Sequence, residues 1–324
     1  MTAVPPLPPV PPLAPVDALR RIAFLLERSQ AATYRVQAFR GAAAALTALD
    51  PADVATRAEA GTLTTLKGVG PKTAAVVEQA LAGTVPDYLA TLEEQAAAIG
   101  TGAGEQLFAA LRGDLHSHSD WSDGGSPVTE MAATAAALGH GYLAMTDHSP
   151  RLTVANGLTA QRLDRQLGLV AGIDEAMDGF RLLSGIEVDI DEDGALDQTP
   201  EMLDRLDVVV ASVHSKLRMA AAPMTRRMLD AVADPHTDVL GHCTGRMVTG
   251  SSSRGASNRR DGRPPSQFDA GLVFAACAER QVAVEINCRP ERLDPPRDLL
   301  RRAVDAGCLF SIDTDAHAPG QLDW

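Results

Sequence analysis

Apolar positions along the chain follow two different periods. From Val16 to about Leu111 they recur at helical spacing: in VDALRRIAFLLERSQ, Leu19, Ile22, Ala23 and Leu26 fall on one face. YRVQAFRGAAAALTAL continues the pattern, and LDPADV reads as a helix stop followed by a new start. In TLTTLKGVGPKTAAVVEQAL, two helical segments flank a very short Gly68-Val69-Gly70 turn, with Pro71 where the next helix begins. From Gly113 the texture changes to seven short β-rich runs: RGDLHSH, GYLAMTDH, FRLLSGIEVDI, DVVVASVH, TDVLGH, VAVEIN and LFSIDTDAH. Helix-compatible stretches separate most of them. Such alternation predicts an α/β fold with a parallel sheet closed into a barrel, whose chemistry gathers at the C-terminal strand ends.

Ahead of the helices, Met1 to Pro15 hold seven of the 21 prolines, in the run VPPLPPVPPLAP. This run supports neither a helix nor a central strand. It reads as an extended solvated tail, with an SH3-type ligand as the alternative. The expected organisation is a tail at 1–15, a helical domain at 16–98, a linker at 99–112 and the barrel at 113–324.

Charge separates the two domains. The net charge of −13 argues against a surface coated in Lys and Arg for nonspecific DNA binding. Residues 16–112 carry nine Lys+Arg and ten Asp+Glu, whereas residues 113–324 carry 20 and 32. Metal cations would neutralise part of that acidity. No apolar run approaches a membrane span, and no signal peptide opens the chain. The four cysteines (Cys243, Cys277, Cys288 and Cys308) lie far apart without CxxC spacing. A cytoplasmic protein with reduced thiols is expected.

Six of the eight histidines close, or nearly close, a predicted strand: His116, His118, His148, His214, His242 and His317. His116 and His118, like Asp315 and His317, are spaced i, i+2, so each pair points one way. Asp123 follows on the first loop and Glu187 ends the third strand. A lone strand histidine is usually a satisfied core or surface residue. Six at strand ends, with acids, predict metal ligation, and imidazole with carboxylate suits Zn²⁺, Mn²⁺ or Fe²⁺. Nine donors are too many for one ion and fit two or three. His140 and His236 sit in helix-end or loop contexts and read as structural. Arg246, Arg289, Arg292 and Lys216 are candidate phosphate-binding groups, with surface ion pairs as the alternative. The loop Ser251–Arg263, with four arginines, is either a cover over a nucleic-acid backbone or a solvated loop.

The motifs GDLHSHSDWSDG, TDHS, ANGL, GIEVDI, VVVASVH, DVLGHCTGR, EINCRPERLD and TDAH, in this order, resemble the PHP (polymerase and histidinol phosphatase) domain. The resemblance runs from Gly113 to Trp324 and is nearest to the PHP domain of bacterial family X DNA polymerases. It implies a distorted (β/α)₇, TIM-like barrel with three divalent metal ions. His116, His118, Glu187 and Asp315 would share one ion. Glu187 would bridge to a second on His214 and His242, and Asp123, His148 and His317 would hold the third. Glu187, Asp315 and His214 are the expected catalytic residues of that set. Cys243 stands where the family usually shows Pro, and Asp313 adds an acid two residues before Asp315. The closing helix after TDAH is expected to be short or missing.

YRVQAFRGAA and LKGVGPKTA resemble the helical N-terminal domain of the same polymerases, with a helix-hairpin-helix gripping the DNA backbone. Gly68, Val69 and Gly70 would face a phosphate, flanked by Lys67 and Lys72. The alternative is an ordinary turn between helices. No Schiff-base lysine is assignable. A polymerase palm has no room between the two parts. The expected activity is therefore a metal-dependent phosphoesterase on DNA ends: 3′→5′ exonuclease, 3′-phosphatase or abasic-site nuclease. A small-molecule phosphatase of the histidinol-phosphate type and a DNA-binding module with an inactive barrel are the alternatives.

Overall fold

The computed structural model describes residues 12–97, 104–248 and 262–324. The chain divides into two compact units, residues 1–109 and 110–324.

The first unit is all-helical: α1 (Pro15–Arg28), α2 (Thr33–Thr47), α3 (Pro51–Glu59), α4 (Pro71–Leu81), α5 (Asp87–Ala97) and α6 (Glu105–Ala110). The face predicted for α1 is the buried one, with Leu19, Ile22 and Leu26 all but solvent-free. Each contributes about 1.5–3 kcal/mol by leaving water. Three sequence expectations shift. Pro15 is the first residue of α1 rather than the end of a tail, and Leu13 packs on the helical core. The rest of the proline run, residues 1–11, lies outside the described residues. The expected linker at 99–112 contains α6. The segment before the Gly68–Gly70 turn is a single 3₁₀ turn, Leu63–Thr65, because α3 ends at Glu59.

The second unit carries seven parallel strands in the order β1-β2-β3-β4-β5-β6-β7. They are β1 (Gly113–Asp114), β2 (Tyr142–Met145), β3 (Arg181–Asp189), β4 (Val208–Ser212), β5 (Val239–Leu240), β6 (Ala283–Asn287) and β7 (Phe310–Asp313). The helices between them are α7 (Val128–Ala137), α8 (Ala160–Ala176), α9 (Pro200–Leu203), α10 (Ala221–Ala233), α11 (Ala270–Arg280) and α12 (Arg297–Asp305). A parallel bridge between Ser117 and Ala316, with His118 N–H donating to Ala316 O at 2.8 Å, brings the first and last strands together. The result is a nearly closed seven-stranded parallel barrel wrapped by helices.

The period of two places the polar set. On β3, Ile186 and Val188 face the large apolar core that includes Met228 on α10 and Phe274 on α11. Glu187 between them faces the other way. A smaller cluster of Ala144, Val208, Val210 and Val239, joined by Leu183, packs away from that core. A 3₁₀ turn, Pro319–Asp323, follows the last strand, and its Leu322 packs against Val128 and Met131 of α7. Among the described residues, no helix is long and apolar enough to cross a membrane.

Candidate metal centre

Every strand except β6 delivers an expected ligand at or just beyond its C-terminal end. The nine side chains converge around Glu187, which is buried. Its Oε1 is 2.8 Å from His242 Nε2 and 3.2 Å from His214 Nε2. Its Oε2 is 2.8 Å from His148 Nδ1, 3.4 Å from His116 Nε2 and 3.6 Å from His118 Nε2. The two oxygens thus face two different sets of imidazoles, as a bridging carboxylate does. Asp315 Oδ1 is 3.3 Å from His118 Nε2. Asp123 Oδ1 is 3.5 Å from His148 Nε2 and 3.4 Å from His317 Nε2.

Three groups have donor atoms within 4.8 Å of one another: His118, Asp123, His148 and His317; His116, His118 and Glu187; and His148, Glu187 and His214. His118, His148 and Glu187 each belong to two groups, so the three sets share walls rather than standing apart.

The donor set fits cations. Buried His116 Nε2, His118 Nδ1 and Nε2, Glu187 Oε2 and His214 Nε2 have no hydrogen-bond partner among the described residues. Each such atom costs about 1–3 kcal/mol unless something binds it. The charges agree. Burial would raise Glu187, but His214, His116 and His148 outweigh it and hold the carboxyl well below its usual range. Burial would likewise raise Asp315, but Arg289 and Arg292 hold it well below. Burial, then repulsion from His317 and His148, drives His118 down to about 3, so it is a neutral donor. Burial would lower His116 and His214, but Glu285 and Glu187 hold the first well above its usual range, and Glu187 and Asp189 push the second up to about 9, so divalent ions binding there would displace those protons.

Residues that the sequence reading missed hold these ligands. Glu285 on β6 lies 2.5 Å from His116 Nδ1 and also accepts from His242 N–H. Asn287 Nδ2 donates to Glu285 Oε2 and Asp315 Oδ2, both at 3.3 Å. Asp189 Oδ1 meets His214 Nδ1 at 2.6 Å. Asp147 accepts from Ser119 N–H at 2.8 Å and from Gln166 Nε2 at 2.5 Å, pinning the loop that carries Asp123. The signal was available: Glu285 and Asn287 repeat the i, i+2 spacing, as do Glu187 and Asp189. Asp313 does not reach the donor groups. It accepts from Leu115 N–H at 2.8 Å, and burial with nearby Asp114 and Glu285 pushes it up to about 8.

A cavity of about 220 Å³ opens over the centre. Asp123, His148, His214, Asp315 and His317 form its polar wall, with Arg289 and Arg292 beside them. Arg292 Nε is 3.0 Å from Asp315 Oδ2, and Arg289 donates to His317 Nδ1 at 3.1 Å. The other two expected phosphate contacts lie elsewhere. Arg246 donates to the carbonyls of Arg292 (3.1 Å) and Leu293, so it braces the arginine loop. Lys216 is exposed and is not among the residues lining the cavity. Most of the Ser251–Arg263 loop lies outside the described residues; Arg263 donates to Gly245 O at 2.6 Å. His236 pairs with Asp234 and Asp204, away from the centre.

In the helical unit, Gly68 is exposed at φ +94°, and a Cβ there would meet Gly41 O at 3.2 Å. Gly70 N–H donates to Thr73 Oγ1 at 2.9 Å, and Pro71 opens α4. Lys67 is exposed, while Lys72 Nζ sits over the Tyr88 ring at 4.3 Å. Val69 is buried, so its side chain belongs to the core and not to a ligand.

Two family models match the chain: a helix-hairpin-helix domain over residues 13–84 and a PHP domain over residues 114–257. A DNA polymerase/3′-5′ exonuclease from Bacillus subtilis is 37% identical over 213 residues, 66% of this chain. The match spans only 35% of that relative's length. A probable phosphatase from Acetivibrio thermocellus is 34% identical over 216 residues, covering 63% of this chain and 78% of its own. Among solved structures, a histidinol phosphate phosphatase from Lactococcus lactis, complexed with zinc, L-histidinol and phosphate, aligns at 19% identity and a TM-score of 0.45. That alignment covers 64% of this chain and 87% of the other.

Proposed function

Since the chain belongs to the PHP family and is a phosphoester hydrolase, we propose that it acts on DNA ends, as a 3′→5′ exonuclease, 3′-phosphatase or abasic-site nuclease. One observation carries this reading: a cluster of seven grouped metal-donor side chains shares its chain with a helical unit that matches a helix-hairpin-helix domain. Pro71 opens α4 behind an extended Gly70 that offers no side-chain cap, which leaves the first amides of the helix for a phosphate oxygen. Lys67 and Lys72 are exposed cations beside them. The similarity to the Bacillus DNA polymerase/3′-5′ exonuclease supports DNA as substrate.

Divalent ions (Zn²⁺, Mn²⁺ or Fe²⁺, three per chain) would sit on His116, His118, Asp123, His148, Glu187, His214, His242, Asp315 and His317. When bound, they lower the pKa of water and clamp the phosphoryl group. The chain's own groups do the rest. Glu187 and Asp315 stay ionised and keep the donor geometry. Asp189 fixes the ring of His214 so that Nε2 faces Glu187. Arg289 and Arg292 present guanidinium groups on the cavity wall, where a phosphate would complete their pairing with Asp315.

The test is to incubate the Mn²⁺- or Zn²⁺-loaded full chain with 3′-labelled DNA and, separately, with histidinol phosphate. Release of nucleotide or phosphate from DNA alone is expected. Release from histidinol phosphate alone overturns the reading.

A further inference from the structure

The cavity is also lined by four apolar side chains, Leu152, Val154, Ala155 and Met247. Val154 is 92% exposed, although it belongs to a tightly braced segment. It lies in the 3₁₀ turn Thr153–Ala155, which ends on Asn156 in the left-handed conformation. The Arg162 guanidinium donates to Gly157 O at 3.0 Å and also to the carbonyls of Asn156 and Trp121. Leu158 N–H donates to His148 O at 2.7 Å, tying the segment to a metal-ligand residue. A braced loop that holds a valine in water has not collapsed onto its own core. What the valine meets comes from outside, and it enters beside the metal centre.

We propose that Leu152, Val154 and Met247 form an apolar seat for the terminal nucleobase of the DNA strand being cut. The proposal deepens the 3′→5′ exonuclease form of the reading above and rests on it; an abasic-site nuclease would instead favour the base-free end. The cavity pairs an anion site with an apolar lip, so its ligand has a phosphate at one end and a flat, weakly polar face at the other. A nucleotide has both. An aminoalkyl phosphate would need a carboxylate for its ammonium, and among the described residues the only carboxylates lining the cavity, Asp123 and Asp315, belong to the expected metal-ligand set. Leu152, Val154 and Met247 offer no hydrogen-bond donors, so the seat accepts any base by its face and reads no sequence.

The experiment compares kcat/KM for an oligonucleotide ending in an ordinary 3′ nucleotide with that for one ending in a base-free residue. Burying one face of a base against such an aliphatic surface predicts a preference of about tenfold for the ordinary end in the wild type. Val154→Asp should bring the ratio close to one. Val154 is exposed, so the variant folds, and Met247→Ala should lower the ratio from the other side. A terminal 2-aminopurine should change fluorescence on binding the wild type but not Val154→Asp. If DNA is cleaved and the ratio is the same in wild type and variants, the seat is overturned while the DNA reading stands. If the wild type cleaves no DNA at all, that reading falls and takes the seat with it.

Discussion

Glu285 Oε1 lies 2.5 Å from His116 Nδ1, and this contact leaves Nε2 as the ring nitrogen that faces Glu187 at 3.4 Å. A carboxylate on the far nitrogen of a metal-binding imidazole orients the ring and raises its basicity. Glu285 therefore acts through His116, and through the backbone of His242 as well. Glu285→Ala is expected to weaken metal binding by about 10–100-fold. Glu285→Gln, which keeps an acceptor, should lose less. Competition against a chelator of known affinity measures both.

Metal removal should also be visible in stability. Bound ions satisfy buried atoms that otherwise have no partner, such as His118 Nδ1 and Nε2. Ions that bind only the folded chain stabilise it by mass action, by about 2.7 kcal/mol at a hundredfold excess over Kd. Chelation should lower the melting temperature, and Mn²⁺ or Zn²⁺ should restore it. An unchanged melting curve on chelation would mean that the donors hold no ion.

Gly157 is a sharper test of the braced loop. A Cβ at this position would lie 1.8 Å from Ser149 O and 2.6 Å from its carbonyl carbon, both backbone atoms. Gly157→Ala must displace the segment that runs from His148 to Leu158. A cost of about 1–3 kcal/mol is expected, with a fall in activity, since the displaced strand end carries His148. Denaturant midpoints and kcat measured on the same preparation check this.

Much of this centre was legible before any coordinates. Histidines that end β-rich runs at i, i+2 spacing announce one face of a sheet, and parallel strands bring those faces together. The seven runs became the seven strands in order. What sequence did not expose is the work of residues with two available roles. An acid such as Glu285 in an apolar strand has no pattern that separates a ligand from a ligand's support; only the 2.5 Å contact decides it. Arg246 looked like a phosphate contact because it follows a ligand-bearing loop, yet its guanidinium is taken by the carbonyls of Arg292 and Leu293. Lys72 looked free for DNA, but the ring of Tyr88, on the next helix, lies under its ammonium.

Alkaline pH should expose a buried thiol. Cys277 is fully enclosed, and burial pushes it up to about 12. The unfolded chain ionises its thiol near about 8.5, whereas the folded chain keeps the proton until far higher pH. Between those values the unfolded state binds fewer protons, so stability falls as pH rises. Urea midpoints should therefore drop from about pH 8.5 upward, and Cys277→Ala should flatten that slope.

The hairpin makes a salt-dependent prediction. If Lys67 meets a DNA phosphate, Lys67→Ala should reduce the slope of log affinity against log salt by about one, without altering sequence preference. Lys72→Ala should change it less, because the ammonium already rests on Tyr88. Fluorescence anisotropy at several salt concentrations provides the slopes.

The central claim is that the donors around Glu187 hydrolyse DNA ends. The most direct measurement is cleavage of 3′-labelled DNA by wild type and by Glu187→Ala, at equal protein and metal concentration, with DNA affinity measured in parallel. Wild type should shorten or dephosphorylate the labelled end. Glu187→Ala should fall to background while still binding DNA, since Glu187 lies in the barrel unit and the hairpin in the other. A Glu187→Ala protein that cleaves as fast as wild type would contradict the account.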